Sequence, residues 1–361
     1  MTRFPGKLAI QQRVLPVYRA PFFDLLASAC EGGMSLFTGL PRPSEGITIT
    51  NQLQVTQYHQ GQNIHLFGGA LYLCSQRGLV DWLEHWNPDA LVVEANPRYL
   101  STPSAVRWMH RQNKPVIGWG LGSPPASGLQ KLRRRSFIHQ FDALMAYSQR
   151  GADEYAALGF PRGRIFVAHN SVVRPPASVI PLRPSTVDLQ PTILFVGRLQ
   201  ARKRVDSLLR ACAELDVTPR LIIVGDGPER ETLESLARKI YPGAEFIGAK
   251  HGAELNPYFM AADLFVLPGT GGLAIQEAMS YGLPVIVAQG DGTQDDLVRK
   301  ENGWQIPPDD FAALVSTMKD ALSDVARLRR MGEESYRIVR EEINIEKMVE
   351  TFVTALNRLN H

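Results

Sequence analysis

The chain has 361 residues, 44% of them hydrophobic and 21% charged, and carries a net charge of +3. These values exclude disordered and fibrous classes and leave room for about two domains with ordinary cores. The mildly basic balance suits anionic ligands or an anionic surface and gives no reason to expect a nucleic-acid partner.

In the first half, short apolar runs at 8–10, 91–93, 116–119, 143–147 and 165–168 predict buried strands. Helical patterns over 69–86, 102–112 and 151–158 lie between them. Buried strands alternating with helices imply a parallel sheet covered on both faces. Residues 174–192 then bring Pro175, Pro176, Pro181, Pro184 and Pro191 with little periodicity, a linker signal. A second β/α series follows, with strands at 193–196, 221–224, 245–247, 264–267 and 285–288. Its helices are expected at 205–214, 229–240, 253–261, 274–281 and 310–322. The plan is therefore α/β: two Rossmann-like domains, 1–173 and 193–342, facing a cleft. Helical patterns at 324–340 and 346–359 end the chain, and the last segment, 343–361, is expected to cross back to the first domain. Ligands of such sheets bind outside the carboxyl ends of the strands.

Chemistry-bearing residues gather at those ends in the second half. Val196-Gly197-Arg198-Leu199 with Lys203 sets two cations just past a strand. There they can stabilise the charge that grows on a departing diphosphate. A solvated basic turn, Arg202-Lys203-Arg204, is the plainer alternative. Val224-Gly225-Asp226-Gly227-Pro228 ends another strand in a tight turn, and Pro228 suits the first position of a helix. Its glycines lack the G-x-G-x-x-G spacing. After the strand at 264–267, Gly269, Thr270, Gly271, Gly272 and Leu273 open a helix whose first N–H groups can seat a phosphate. Glu277 follows one turn in, placed to accept hydrogen bonds from two ribose hydroxyls. The alternative is an exposed glutamate favoured by the helix dipole. No D-x-D triplet occurs, and Asp295-Asp296 and Asp309-Asp310 read as caps or turns, so no metal site is expected. The combination points to a nucleotide diphosphate sugar bound as substrate, with no cofactor.

Lys131, Arg133, Arg134 and Arg135 precede Phe137, Ile138 and Phe141. They read either as a solvated helix face or as a surface that rests on anionic lipid headgroups. Cys30, Cys74 and Cys212 are few, odd in number and far apart, which points to a reducing compartment and away from zinc. Arg13, Arg19 and Asp24 interrupt the first apolar residues, so no signal-like segment is expected. No run of about 18 apolar residues is present to span a membrane.

Together these motifs resemble the retaining glycosyltransferases of family 4, which have the GT-B fold. The resemblance covers nearly the whole chain and is strongest over 193–304. Gly197-Arg198-Leu199 with Lys203 is similar to the family's phosphate-binding element, and Gly225–Pro228 to its G-x-G-P turn. Gly272-Leu273, Glu277-Ala278-Met279 and Gly282–Ile286 are similar to its donor loop and helix. Phe141-Asp142-Ala143 with Ser148, and Asn170-Ser171, resemble the end of its first domain. By that resemblance, Arg198 and Lys203 hold the diphosphate as catalytic cations, with Gly272 and Leu273 on its other side. Glu277 holds the ribose, and the base lies near Gly248 and Lys250. The family transfers a sugar with retained anomeric configuration, usually without metal. The acceptor implied is a glycan, lipid-linked in one version, in bacterial surface polysaccharide assembly at the cytoplasmic face of the inner membrane. Tyr18, Arg19, Gly120, Gly122, Gly269 and Thr270 are the candidate acceptor or sugar contacts. The plainer reading of the segment at 15–23 packs Pro21, Phe22 and Phe23 on the core.

Two departures stand out. The family's E-x7-E element would begin at 269, where this chain has Gly269. Leu121 stands where related proteins often carry a histidine, so no catalytic histidine is named; a mechanism in which the leaving phosphate itself takes the acceptor proton stays open without a side-chain base. Two rivals follow: a catalytically degenerate GT-B protein that binds nucleotide as a partner or scaffold, and a GT-B nucleotide-sugar epimerase.

Overall fold

The computed structural model describes residues 2–176 and 190–360, without the side chain of Ala70. Most of the expected linker at 174–192, including Pro181 and Pro184, lies outside the described residues. The chain forms two compact units, Met1–Val172 with Ile345–His361, and Val173–Asn344. Among the described residues no helix is long and apolar enough to cross a membrane.

The first unit contains strands β1 (Leu8–Gln11), β2 (Met34–Thr38), β3 (Gln57–Gln60), β4 (Gln62–Leu66), β5 (Leu73–Arg77), β6 (Ala90–Glu94), β7 (Val116–Gly120), β8 (Ala143–Ala146) and β9 (Ile165–Val167). Its helices are α1 (Ala20–Ser28), α2 (Leu79–Trp86), α3 (Thr102–His110), α4 (Gly128–Ile138) and α5 (Gln149–Ala157). Seven strands form a parallel sheet in the order β3-β2-β1-β6-β7-β8-β9, while β4 and β5 pair antiparallel as a separate hairpin. The second unit contains β10 (Thr192–Val196), β11 (Arg220–Val224), β12 (Glu245–Gly248), β13 (Leu264–Leu267), β14 (Val285–Ala288) and β15 (Gly303–Ile306). Around them lie α6 (Val205–Ala213), α7 (Arg230–Ile240), α8 (Asn256–Ala261), α9 (Leu273–Ser280), α10 (Thr293–Leu297), α11 (Phe311–Ser323) and α12 (Val325–Glu341). Its sheet is parallel in the order β12-β11-β10-β13-β14-β15. Helix α13 (Ile345–Leu359) belongs to the first unit.

The expected helix over 69–86 is a correction. Only a 3₁₀ turn at Gly69–Leu71 and α2 are helical; residues 73–77 form a strand on the 62–66 strand, and Gly78 turns the chain with φ 81° before α2 begins. The strand signal was present in alternation: Cys74 and Gln76 are buried and their neighbours are not. The expected helix at 253–261 begins as a 3₁₀ turn over Gly252–Leu255, with Pro257 at the start of α8. Strands β2, β3, β4 and β15 were not anticipated.

Alternation along β1 divides the first unit's core. Leu8 and Ile10 face a cluster with α1 and α13, while Ala9 faces one with α2, α3 and α5. Side-chain oxygens of Ser148, Asp310 and Asp324 cap α5, α11 and α12 by accepting from Gly151, Ala313 and Arg327 N–H groups. Phe352 docks α13: its ring is fully buried, with centroids 5.3 Å from Phe22 and 4.9 Å from Trp119. Phe352→Ala should therefore cost about 3–5 kcal/mol of stability. Urea unfolding followed by Trp fluorescence would check it, and an unchanged midpoint would show that α13 is not part of that core.

Candidate functional site

In the second unit the strand order reverses between β10 and β13, and such switch points open a crevice at the carboxyl edge of the sheet. The segments that follow β10, β11 and β13 all leave from this edge. Their glycines are there first because backbone meets backbone. Gly197 N–H donates to the Val224 carbonyl at 3.0 Å, Leu199 N–H to Asp226 at 2.8 Å, and Gly225 N–H to Gly248 at 2.8 Å. Gly225 has φ 148°, and a Cβ there would overlap the carbonyl oxygen of Gly197. The Gly225 turn is thus a packing device that fixes the position of Arg198, which lies exposed between Gly197 and Leu199.

Lys203 and the loop after β13 are locked together. Lys203 is buried, and its ammonium donates to the carbonyl oxygens of Thr270 at 2.7 Å and Gly271 at 2.6 Å. Thr270 N–H donates back to the Arg202 carbonyl at 3.0 Å. Gly269 is wedged against this turn: a Cβ would overlap the Arg202 carbonyl oxygen and stand 2.5 Å from Lys203 backbone carbon. Burial, with the Arg202 charge adding to it, pulls the Lys203 ammonium down to about 8. The solvated-turn reading fits Arg202, which is exposed, and not Lys203.

Gly272 is the N-cap of α9 and brings no side chain to cap it. The helix start therefore presents backbone N–H groups toward the crevice side of the sheet. Leu273 and Glu277 are half-buried, and burial raises the Glu277 carboxyl above the usual range. Gly248 ends β12 with φ 84°, and Lys250 lies 3.6 Å from Glu254.

The first unit places its candidates differently. Tyr18 is exposed, but Arg19 is turned inward, hydrogen-bonded to Asn170 and set 5.5 Å from the Trp119 ring and 5.6 Å from that of Tyr147. Phe22 and Phe23 are core residues, as the plainer reading of that segment has it. Gly120 and Gly122 lie against α5: a Cβ at 120 would come 2.7 Å from the Tyr155 hydroxyl, and one at 122 within 2.7 Å of Gly151 Cα. Leu121 between them is exposed.

Sequence reasoning missed Glu94, the last residue of β6, next to the strand reversal between β1 and β6. Its carboxylate accepts from Arg13 N–H at 2.9 Å, and burial pushes it up to about 7. The available signal was an acidic residue closing an otherwise apolar strand.

The profile of the family "Glycosyl transferases group 1" matches residues 190–324, which contain the whole arrangement around Lys203. A GDP-mannose-dependent alpha-mannosyltransferase of Mycobacterium tuberculosis is 39% identical over 127 residues, 34% of this chain and 32% of that protein. The chain thus spans about a third of the length of that curated relative. The lipopolysaccharide core biosynthesis glycosyltransferase LpsE of Rhizobium meliloti is 22% identical over 84% of this chain and 99% of its own length. Among solved structures, the lipopolysaccharide outer core galactosyltransferase WaaB in its apo form superposes with a TM-score of 0.70 at 18% identity, covering 98% of this chain and 99% of that one. Anabaena Alr3699/HepE in complex with UDP gives 0.70 at 16% identity, covering 99% and 100%. The matched segment holds the cation, the glycine loop and the helix start, so residues 190–324 are those of a glycosyl transferases group 1 domain, and the fold along the chain is GT-B.

Proposed function

We propose that the protein is a retaining glycosyltransferase that moves a sugar from a nucleotide diphosphate to a glycan hydroxyl, in the assembly of a bacterial surface polysaccharide. The observation that carries this reading is the buried Lys203 ammonium fixed beside an uncapped helix start at the switch point of the sheet. A developing diphosphate needs preorganised cations and N–H donors, and a buried ammonium beside a helix start without a side-chain cap supports this reading. In the reaction the acceptor oxygen bonds to the anomeric carbon on the face that the diphosphate leaves. The bond from that carbon to the phosphate oxygen breaks with its electron pair, and the acceptor proton passes to the departing phosphate. Arg198 and Lys203 take the charge in place of a metal, and Glu277 takes the ribose. Gly197, Gly225 and Gly248 with Lys250 shape the nucleotide side. LpsE and the putative colanic acid biosynthesis glycosyltransferase WcaL of Escherichia coli support the polysaccharide setting. The acceptor is lipid-linked in this reading, and Lys131, Arg133, Arg134 and Arg135 bring the protein to the cytoplasmic face of the membrane.

A thermal-shift screen against UDP, GDP and ADP and their sugar conjugates, with and without EDTA, tests the donor site. One nucleotide at about 100 times its dissociation constant should stabilise by about 2.7 kcal/mol whether or not EDTA is present. No shift with any of them would end the donor reading. Arg198→Ala and Lys203→Ala should each lower turnover about 10²–10³-fold; near-normal rates in both would remove them from the chemistry.

The lowered Lys203 value has a definite sign. The ammonium loses its proton as pH rises through about 8, so diphosphate affinity should fall over that interval. Binding in that interval should take up a proton, which calorimetry in buffers of different ionisation enthalpy would detect. An affinity flat through that range would show that the charge on Lys203 does not bind the ligand.

Restoring the family's glutamate should fail. Gly269→Glu places a side chain into the backbone at 202–203, and overpacking of this kind costs about 1–3 kcal/mol. A lower melting temperature and weaker nucleotide binding are expected. Faster sugar transfer would instead show that the loop accommodates the carboxylate.

A further inference from the structure

The first unit's sheet has a strand reversal of its own, between β1 and β6, and polar side chains gather at the carboxyl end of both strands. Gln11 ends β1 and Glu94 ends β6. Gln11 Oε1 accepts from Glu94 N–H at 3.1 Å, and the Gln11 amide donates to Gln76 of β5. Gln76 donates in turn to the Gln12 carbonyl at 3.1 Å and to Asn63 at 2.9 Å. Three side-chain amides thus fix the backbone under Glu94 without occupying its carboxylate.

That carboxylate accepts from Arg13 N–H at 2.9 Å and has the Tyr99 hydroxyl beside it. The Arg13 guanidinium is bonded elsewhere, to Glu45 at 2.8 Å. Arg19 is held by Asn170 and lies against the Trp119 and Tyr147 rings. A carboxylate has about four lone-pair sites, so Glu94 keeps acceptor capacity in reserve. It is half-buried, enclosed by protein yet still reached by solvent. Gln12, next to Arg13 in the chain, is 8% exposed, and its amide nitrogen has no hydrogen-bond partner. Buried polar groups are ordinarily paired. An acceptor with spare lone pairs and a donor without a partner suit sugar hydroxyls, which give and take hydrogen bonds at once. A purely structural role explains less. Holding the Arg13 N–H needs an acceptor oxygen only, which a glutamine supplies without burying a charge.

We infer that Glu94 and Gln12 receive the sugar that accepts the transfer, and that this sugar is an uncharged pyranose. Glu94 takes its hydroxyl protons as hydrogen bonds, and Gln12 Nε2 donates to one of its oxygens. An acidic sugar is disfavoured, because it would meet Glu94 while Arg13 and Arg19 are both engaged. The inference deepens the transferase reading and rests on it for the word acceptor; binding of the sugar itself requires no donor. Protonation supplies an independent signature. Burial pushes the Glu94 carboxyl up to about 7. Tyr99, Tyr147 and Cys74, which face it, are pushed up by burial, and Glu45 is held low by Arg13 against its own burial. The arginines stay charged, so among these groups Glu94 changes charge around neutrality.

The test is saturation-transfer NMR of the full chain, without nucleotide, against methyl α-glycosides of glucose, galactose, mannose, rhamnose and N-acetylglucosamine, with methyl glucuronide as the acidic comparison. At least one neutral glycoside should bind at pH 8, at least about tenfold tighter than the glucuronide. Its affinity should fall by up to about tenfold at pH 6, as the ionised share of Glu94 drops from about nine-tenths to about one-tenth. Glu94→Gln keeps an acceptor for the Arg13 N–H; it should weaken binding at pH 8 about tenfold and flatten the pH profile. Gln12→Met should weaken binding about fivefold while leaving the melting temperature unchanged or higher, since it removes an unpaired buried donor. Silence from every neutral glycoside overturns the inference, as does a Glu94→Gln variant that binds like wild type or a glucuronide that binds as tightly. Nucleotide melting shifts report on the donor site separately. Their absence with glycoside binding intact would remove the transferase reading and keep the sugar site, and their presence without glycoside binding would remove the sugar site alone.

Discussion

The Lys203 ammonium, lodged on the carbonyl oxygens of Thr270 and Gly271, ties the turn after β10 to the loop after β13. Both halves of the donor crevice take their shape from this one contact. A buried cation is costly unless charge-assisted hydrogen bonds receive it, and here two backbone acceptors do so. Burial and the neighbouring Arg202 charge nevertheless leave its proton held less firmly than usual. An anion beside this buried cation would favour its charged form.

Glycines at this edge illustrate how a motif and a packing rule coincide. Gly225 sits in a turn similar to the family's G-x-G-P turn, and Gly269 is a candidate sugar contact standing where the family has a glutamate. In the fold, each is where a neighbouring backbone passes too close for a Cβ. Gly269 thus has a packing reason of its own in this chain, because the backbone at 202–203 occupies the place of its Cβ.

How much was legible follows from what each segment buries. β13 and β14 are apolar throughout and buried on both faces, and the sequence marks them plainly. β3 reads Gln-Tyr-His-Gln at the edge of its sheet, where one side needs no apolar partner, and no periodicity announces it. In the β4–β5 hairpin, burial of Gln76 depends on hydrogen bonds its amide donates to the carbonyl of Gln12, far off in the chain, and to the Asn63 side chain on the paired strand. Polar burial of that kind leaves no trace in hydropathy. Arg19 shows the same limit. Its charge suggested a ligand, yet two aromatic rings and Asn170 take it inward. Glu94 was overlooked because a single carboxylate at a strand end is ordinary until its burial is known.

Both units are built on one plan, a parallel sheet, and the comparisons divide them. Likeness of fold runs along 98% of the chain at 18% identity, while the family profile is confined to residues 190–324. The physical demands differ in the same way. The second unit's edge works by backbone laced within hydrogen-bond distance, with glycine required at named positions and one lysine of the right reach. Few sequences satisfy that, so the pattern is specific.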